Sequence, residues 1–554
     1  MVRQALRPNQ QRAQRSVGIS VPAPIGGWDA KSPLAAMPAQ NAVILDNWIP
    51  RAGYVELRRG YVPQVTGFAS PVESLMAYRG GATGDKLFAA SAGNLYDVST
   101  QGSTLGAPVF TGANSNRWNY TAFSNAASEW LVACNGVDTP IGYNAGVWAA
   151  LALTGSSGPI TLDPTSLFSV FSHAGRLFYL QADSLFVWNP AAGAVQGACT
   201  LLDLSSVFSK GGRLIAGAAW SWQFIGQGPD VYAIFVTDQG QVAVYQGDDP
   251  TNASVFSLVG VYDLGPPLGP KALVKFGADL AIVTSDGVLP LSQALRIDRT
   301  QSAEVALTAQ IFPAFSAAVK AYQGNFGWQG ILYPGTSPSD TDGAPGGSLA
   351  IFNIPTSTLQ ASMQFVQNVI TGAWCRFLNI NAFCWETASQ NVYFGAAAGV
   401  YQWDVGSSDN GVPIVGDLKS AFSAFGRPGM NKQFTMIRPL MNAPSIVAPA
   451  LDIDVDYQES EPTATPIVVD ASASPVIRFD WTSVGSIGFV GAPRMQVNLV
   501  GQPSTGELAY DSGPSDTVAI DGSGDGVLTQ GDLPFDVTCQ LISFDIVFEP
   551  GGVL

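Results

Sequence analysis

The densest run of oxygen donors in the sequence is Asp521-Gly522-Ser523-Gly524-Asp525-Gly526, followed by Asp532. A twelve-residue calcium loop places oxygen ligands at positions 1, 3, 5 and 12 and a glycine at position 6, where the chain turns sharply. Asp521, Ser523, Asp525 and Asp532 fall on those ligand positions, and Gly526 falls on the sixth. Calcium is a hard cation that wants several oxygens, so these four residues are the candidate Ca2+ ligands. Three features oppose the assignment: Ser at the third position, Asp in place of the longer Glu at the twelfth, and flanks without helical periodicity. The competing reading is a Gly/Asp hairpin turn.

Little else in the chain is arranged for catalysis. The only histidine is His173, close to Arg176, so any Ser-His-Asp triad would have to use it. No G-x-S-x-G elbow supplies a nucleophile. A structural hydrogen bond at a strand start is the expected role of His173. No GxxxxGK[ST] phosphate loop occurs. The adjacent carboxylates Asp248 and Asp249 have the chemistry for glycoside hydrolysis. They lie in Gly247-Asp248-Asp249-Pro250, a turn composition that reads as a solvated loop. Trp220, Trp222 and Trp328 would stack on sugars if exposed, or fill the core if not. The sequence therefore reads as that of a protein without enzymatic activity.

The elements that position these residues are hairpins. In five places an apolar pair is answered by a second pair starting eight residues later. The pairs are Leu87-Phe88 with Leu95-Tyr96, Leu177-Phe178 with Leu185-Phe186, and Ile234-Phe235 with Val242-Ala243. Leu280-Ala281 with Val288-Leu289 and Val392-Tyr393 with Val400-Tyr401 complete the set. Gly, Asn or Asp in the turns supplies positive φ. Recurring hairpins, none able to bury its apolar face alone, predict a mainly β fold with a β-propeller-like body. The expected organisation is a flexible basic arm over 1–20 and an extended N-terminal segment over 21–70. The propeller-like body follows over 71–415, then a C-terminal β domain over 416–554. A helix is expected over about 301–322, Ala-rich with Pro313 inside it. Alternating Leu451-Asp452-Ile453-Asp454-Val455 suggests a half-buried strand.

Composition narrows the function. Charged residues are 12% of the 554, and the balance of 26 basic against 42 acidic gives a net charge of −16. That argues against a dedicated nucleic-acid binder. Only the first sixteen residues, with Arg3, Arg7, Arg12 and Arg15, are basic. No apolar run approaches the roughly 20 residues of a membrane span, and no apolar segment of signal-peptide type follows the basic start. Five cysteines without a CxxC predict free thiols made in a reducing compartment. The uncharged surface implied by this composition suits a protein covered within an assembly.

Several motifs, in order, resemble the tail-tube or nozzle proteins of short-tailed, podovirus-type bacteriophages. They include Gly26-Gly27-Trp28, Leu45-Asp46-Asn47-Trp48-Ile49-Pro50, Arg58-Arg59-Gly60-Tyr61, Asn135-Gly136-Val137-Asp138-Thr139-Pro140 and His173-Ala174-Gly175-Arg176. Further matches run from Phe235 to Gly260, over Thr284–Val288 and Thr371–Phe377, and at the terminal Phe548–Leu554. The resemblance spans most of the chain and weakens over 500–540. It implies a structural virion protein of the tail, assembled in the host cytoplasm. It further implies a homohexameric ring below an adaptor (head-tail connector) ring, with an axial channel that passes double-stranded DNA during genome ejection. The alternative is a glycan-binding or glycan-cleaving propeller tail protein that recognises the host surface.

If the 521–532 loop binds Ca2+, Asp521→Ala with Asp525→Ala should lower the melting temperature only when calcium is present, by mass action on the folded state. A melting curve of the unaltered protein that ignores both calcium and chelator would leave the plain turn as the correct reading.

Overall fold

The computed structural model describes residues 16–80, 84–222, 230–252, 254–277, 279–333, 349–442, 449–458, 467–468, 476–482, 487–499 and 540–550. The candidate calcium ligands Asp521, Ser523, Asp525 and Asp532, and Cys539, lie outside them, as do residues 1–15. The described chain is mainly β and forms two compact units.

The larger unit takes the described residues of Arg58–Ile414. All five expected hairpins form as antiparallel neighbours, each the second and third strands of a run of antiparallel strands. Turn chemistry explains the tightest of them. Lys86–Ser91 and Asn94–Asp97 are joined by Ala92 (φ 51) and Gly93 (φ 74), both left-handed as a two-residue hairpin turn demands. A Cβ on Gly93 would also sit 2.6 Å from the Ala113 carbonyl oxygen, so only glycine fits. Two further sheets, Asn119–Ser124 to Val147–Ala150 and Gln329–Tyr333 to Trp374–Phe377, carry no such eight-residue signal.

Seven groups of successive antiparallel strands follow one another among the described residues, and they are blades 1 to 7 in chain order. Their innermost strands are Ser74–Tyr78, Asn119–Ser124, Leu167–His173, Leu214–Trp222, Leu273–Phe276, Gln329–Tyr333 and Cys384–Ala388. Each packs on the next, and the last packs on the first, so the series closes into a propeller. Apolar clusters fill the spaces between blades. Met76, Phe88 and Leu95 of blade 1 meet Leu131, Ile141 and Trp148 of blade 2. Phe171 and Phe178 of blade 3 meet Phe235 and Tyr245 of blade 4. Each fully buried side chain of this size contributes on the order of 2–3 kcal/mol.

Closure comes from an unexpected source. Tyr61–Thr66, expected in the extended N-terminal segment, pairs antiparallel with Gly399–Trp403 as the outermost strand of blade 7. Just before it, Arg58 donates to both Asp409 oxygens at 2.8 and 2.6 Å and to the Leu378 carbonyl at 3.1 Å. The two side chains are 0% and 5% exposed. Tyr61 packs edge-on against Phe394 and Tyr401, and burial pushes its hydroxyl up to about 12.

The expected helix over 301–322 is broken. Ser302–Val305 ends at Ala306, whose backbone is extended (φ −61, ψ 137), and the long helix is only Phe312–Tyr322. Pro313 does not lie inside it but in its first turn, where no amide hydrogen is needed. Among the described residues, no single helix is long and apolar enough to cross a membrane.

The smaller unit takes the described residues of Met1–Leu57, Val415–Leu499 and Val537–Leu554. The expected flexible arm ends earlier than residue 20, because Val17–Pro22 is a strand paired with Gln540–Pro550. The latter also pairs with Lys432–Asn442. Ala450–Val455 does not simply turn its acids to water. Asp454 is buried and pairs with Lys419 at 2.6 Å, with both side chains almost fully enclosed.

Removing one partner of a buried ion pair leaves an uncompensated charge and costs about 3–5 kcal/mol. Arg58→Met should therefore lower the denaturation midpoint by that order. The double variant Arg58→Met/Asp409→Leu should lose less than the single one. Equal losses, measured by chemical denaturation, would mean that the pair does not hold the ring closed.

Candidate functional site

The seven innermost strands present their free edges to the propeller axis, and side chains join those edges. The Trp118 amide donates to Ser74 Oγ at 2.7 Å, and Ser74 Oγ donates to the Asn116 carbonyl at 2.5 Å, which links blades 1 and 2 at their strand starts. Blades 6 and 7 are joined by Gln329, which donates to the Trp385 carbonyl at 2.7 Å and accepts from its amide at 3.1 Å.

A titratable pair stands beside these links. Tyr120 of blade 2 and Glu386 of blade 7 flank blade 1 and hydrogen-bond to each other, so they meet across the inner edge of Ser74–Tyr78. The Ala77 backbone also bonds to Tyr120 in a way that favours the phenolate, so its N–H is the donor. Glu386 Oε1 accepts from the Thr387 amide at 3.0 Å. Both side chains keep some accessible surface yet are densely surrounded by protein, as expected for groups lining a narrow internal space. Burial pushes the Glu386 carboxyl above its ordinary value, against the opposing effects of Tyr120, Lys271, the Thr387 amide and Arg79. Burial likewise holds the Tyr120 hydroxyl protonated.

At the starting end of the strands the axis is crossed. Arg117, just before the inner strand of blade 2, lies 4.1 Å from the ring centroid of Phe326, just before that of blade 6. Blades 2 and 6 stand on opposite sides of the ring. Arg117 is held there by Glu73 at 2.9 Å.

Most residues singled out in the sequence are structural. His173 ends its strand rather than starting it. It is 2% exposed, and its Nε2 lies 2.6 Å from the Gly247 carbonyl, with Phe178 and Phe256 edge-on to the ring. Burial lowers its pKa, so the imidazole is neutral and Nε2–H is the donor. Asp249 pairs with Arg176 at 3.1 Å and accepts from Thr251, which makes it a turn residue. Trp220 and Trp328 are buried, and the Trp328 indole donates to the Tyr322 carbonyl, so neither is available to stack on a sugar. Cys134, Cys199, Cys375 and Cys384 are buried free thiols. Among the described residues no group of three or more His, Cys, Asp or Glu is placed to hold a metal. No local motif marks the pair Tyr120 and Glu386, because only the blade register brings them together.

No protein-family model matches the chain, and no curated protein matches it. Solved structures similar to it include BBS1N in complex with ARL6DN, at 10% identity and TM-score 0.38, covering 62% of this chain and 96% of that one. A glycoside hydrolase family 43 arabinoxylan arabinofuranohydrolase from Bacillus subtilis is similar at 9% identity and TM-score 0.23, covering 92% and 95%. Chaetomium thermophilum Raptor is similar at 12% identity and TM-score 0.32, covering 63% and 29%. Likeness at this level carries no argument about activity or partners, and the propeller assignment rests on the strand order itself.

A carboxyl whose folded pKa exceeds its unfolded one adds stability that is complete below the unfolded value and lost as pH rises through the folded value. Glu386→Gln keeps an acceptor for Tyr120 and removes the charge. The variant should therefore melt above the wild type at pH 8, and its pH dependence above the ordinary carboxylate range should be shallower. Parallel curves of melting temperature against pH would rule out this electrostatic cost.

Proposed function

We propose that this chain is a structural subunit of a short-tailed phage tail nozzle. In this reading it is a homohexameric ring component that contacts the adaptor ring and lets double-stranded DNA pass during ejection. One observation carries the reading beyond the resemblance of motifs. The residues that bear the resemblance are scaffold residues. Leu45, Trp48, Arg58, His173, Thr284, Trp374 and Cys375 are all buried. Asn135 and Asp138 hydrogen-bond to each other within one turn of blade 2. Such a pattern suits a protein whose work is to keep a shape.

The crossed propeller axis adds a geometric condition. A DNA channel must be bounded by several copies of the chain, as in a ring closed by one repeated head-to-tail interface. Of the three tryptophans expected to stack on sugars in the glycan-binding alternative, Trp220 and Trp328 are inside, and the Trp222 side chain lies outside the described ones.

Light scattering on the purified protein and electron microscopy of assembled tails test the reading. The expected result is six copies around an open axis that lies between subunits. Three-fold or two-fold copies in the tail would overturn it, as would a monomer found with bound glycan.

A further inference from the structure

The outermost strand of a propeller blade has a row of backbone groups with no strand beyond it, and an open row of this kind is a template for another strand. In five blades little of it is open among the described residues. Blades 1 and 3 end in two-residue strands, Phe110–Thr111 and Leu153–Thr154. In blade 5 the outer strand Gly287–Pro290 is buried throughout, and the Val288 amide donates to Thr308 Oγ1 at 3.2 Å. The outer strand of blade 6, Trp374–Phe377, is half-buried at Arg376 and buried elsewhere. In blade 7, Tyr61–Thr66 has neighbours beyond it at both ends, Asp409 and Ser103–Thr104. Blades 2 and 4 differ. Their outer strands, Val147–Ala150 and Ser257–Asp263, pair on one side only. Val147, Ala149 and Ala150 are exposed, Val147 at 65%. Ser257, Leu258 and Val259 are exposed too, Val259 at 50%, and the exposed Val231 and Val255 lie at the same end of blade 4. Neither strand carries the lysine or proline that usually blocks an edge; the register of the second steps once, at Val259.

Charge selects the partner. Each copy of the chain carries −16, so two copies repel wherever their acids meet. No charged residue occurs from Thr139 to Leu162 or from Pro250 to Tyr262, so both open edges lie in neutral stretches where a second copy can approach. Pairing of Ser257–Asp263 with itself across a two-fold axis is disfavoured. Antiparallel about Gly260, it sets Asp263 of each copy at the Ser257 end of the other, on the side of Asp248 and Asp249. We propose that the blade 2 edge of one copy pairs strand to strand with the blade 4 edge of the next. The contact joins two different patches, so it is head-to-tail and able to close a ring. It gives both rows of backbone groups their partners and covers aliphatic side chains on both sides. The inference rests on the reading of the chain as a homo-oligomeric ring and adds the surfaces that build it.

The test uses the full chain with Cys539→Ser, which leaves only the buried native thiols Cys134, Cys199, Cys375 and Cys384. Val147→Cys and Val259→Cys are made separately and treated with a short bis-maleimide. A mixture of the two variants should crosslink, and each alone should not. Light scattering then follows assembly. Val147→Lys and Val259→Lys should each raise the dissociation constant of the ring by about tenfold or more, because a charged side chain blocks an edge. Val137→Lys, exposed at the opposite end of blade 2, should leave it unchanged. The crosslinks decide where a lysine variant does not fold. Crosslinking of Val259→Cys with itself would show a two-fold contact and overturn the proposal. Rings that form unchanged with both lysine variants would overturn it too, and would leave the ring reading standing. An unaltered chain that stays monomeric at every concentration and within tails would sink the ring reading, and the inference with it.

Discussion

The propeller body depends on a pairing between residues more than three hundred positions apart. Blade 7 obtains its outer strand from Tyr61–Thr66, so the chain begins and ends the ring in the same sheet. Without that strand, Gly399–Trp403 would be an open edge, and the apolar cluster of Leu75, Leu87, Cys384 and Val400 between blades 1 and 7 would lose Val65. Ordering so long a loop is entropically costly, though the cost grows only slowly with length. Arg58 and Asp409 fix the register with a two-pronged contact that a lysine could not reproduce. The pair is worth more as a specifier of geometry than as net stability, because both charges are withdrawn from water.

The inner rim poses the opposite problem. Each innermost strand has one side with no neighbouring strand, and buried backbone groups must still find partners. The chain answers with polar side chains that reach over the rim: Ser74 to Asn116 and Trp118, Gln329 to Trp385, Tyr120 to Ala77. These contacts explain a hydroxyl and two amide or phenol groups that would otherwise look misplaced between apolar clusters. At the same rim, scarce solvent raises the Glu386 carboxyl above its ordinary value.

The blades were legible in the sequence wherever a tight turn joined two short strands, because period-two apolar pairs and a left-handed turn residue are both local signals. Blade 2 was hidden because Asn135–Pro140 lengthens its central connection, and blade 6 because Leu349–Ser357 and Ala361–Asn368 form a longer hairpin. The helix boundary failed at Ala306, where composition favours helix but the backbone is extended against the neighbouring blade. The strand Tyr61–Thr66 carries no local mark of its partner. The Tyr120–Glu386 pair was invisible for the same reason: the two lie on different blades and share no motif. Trp220 and Trp328 were legible as large apolar groups but not as buried ones, since exposure is decided by packing between blades.

Charge ties the two scales together. Basic residues are few, 26 in all, and several of them are enclosed: Arg58, Lys419, Lys432 and Arg494 are at most 4% exposed. Lys432 is held by three backbone carbonyls, those of Arg427, Met430 and Phe489, at 2.7–3.0 Å. Arg494 is held by Asp417 at 2.8 Å. The cations that remain at the blade ends are mostly matched to carboxylates such as Asp183, Asp286 and Glu73. Cations used to fasten the fold are not available to hold phosphates, so the field outside is set by the acidic excess. In the proposed conduit reading, passing DNA would meet that acidic excess and few free cations.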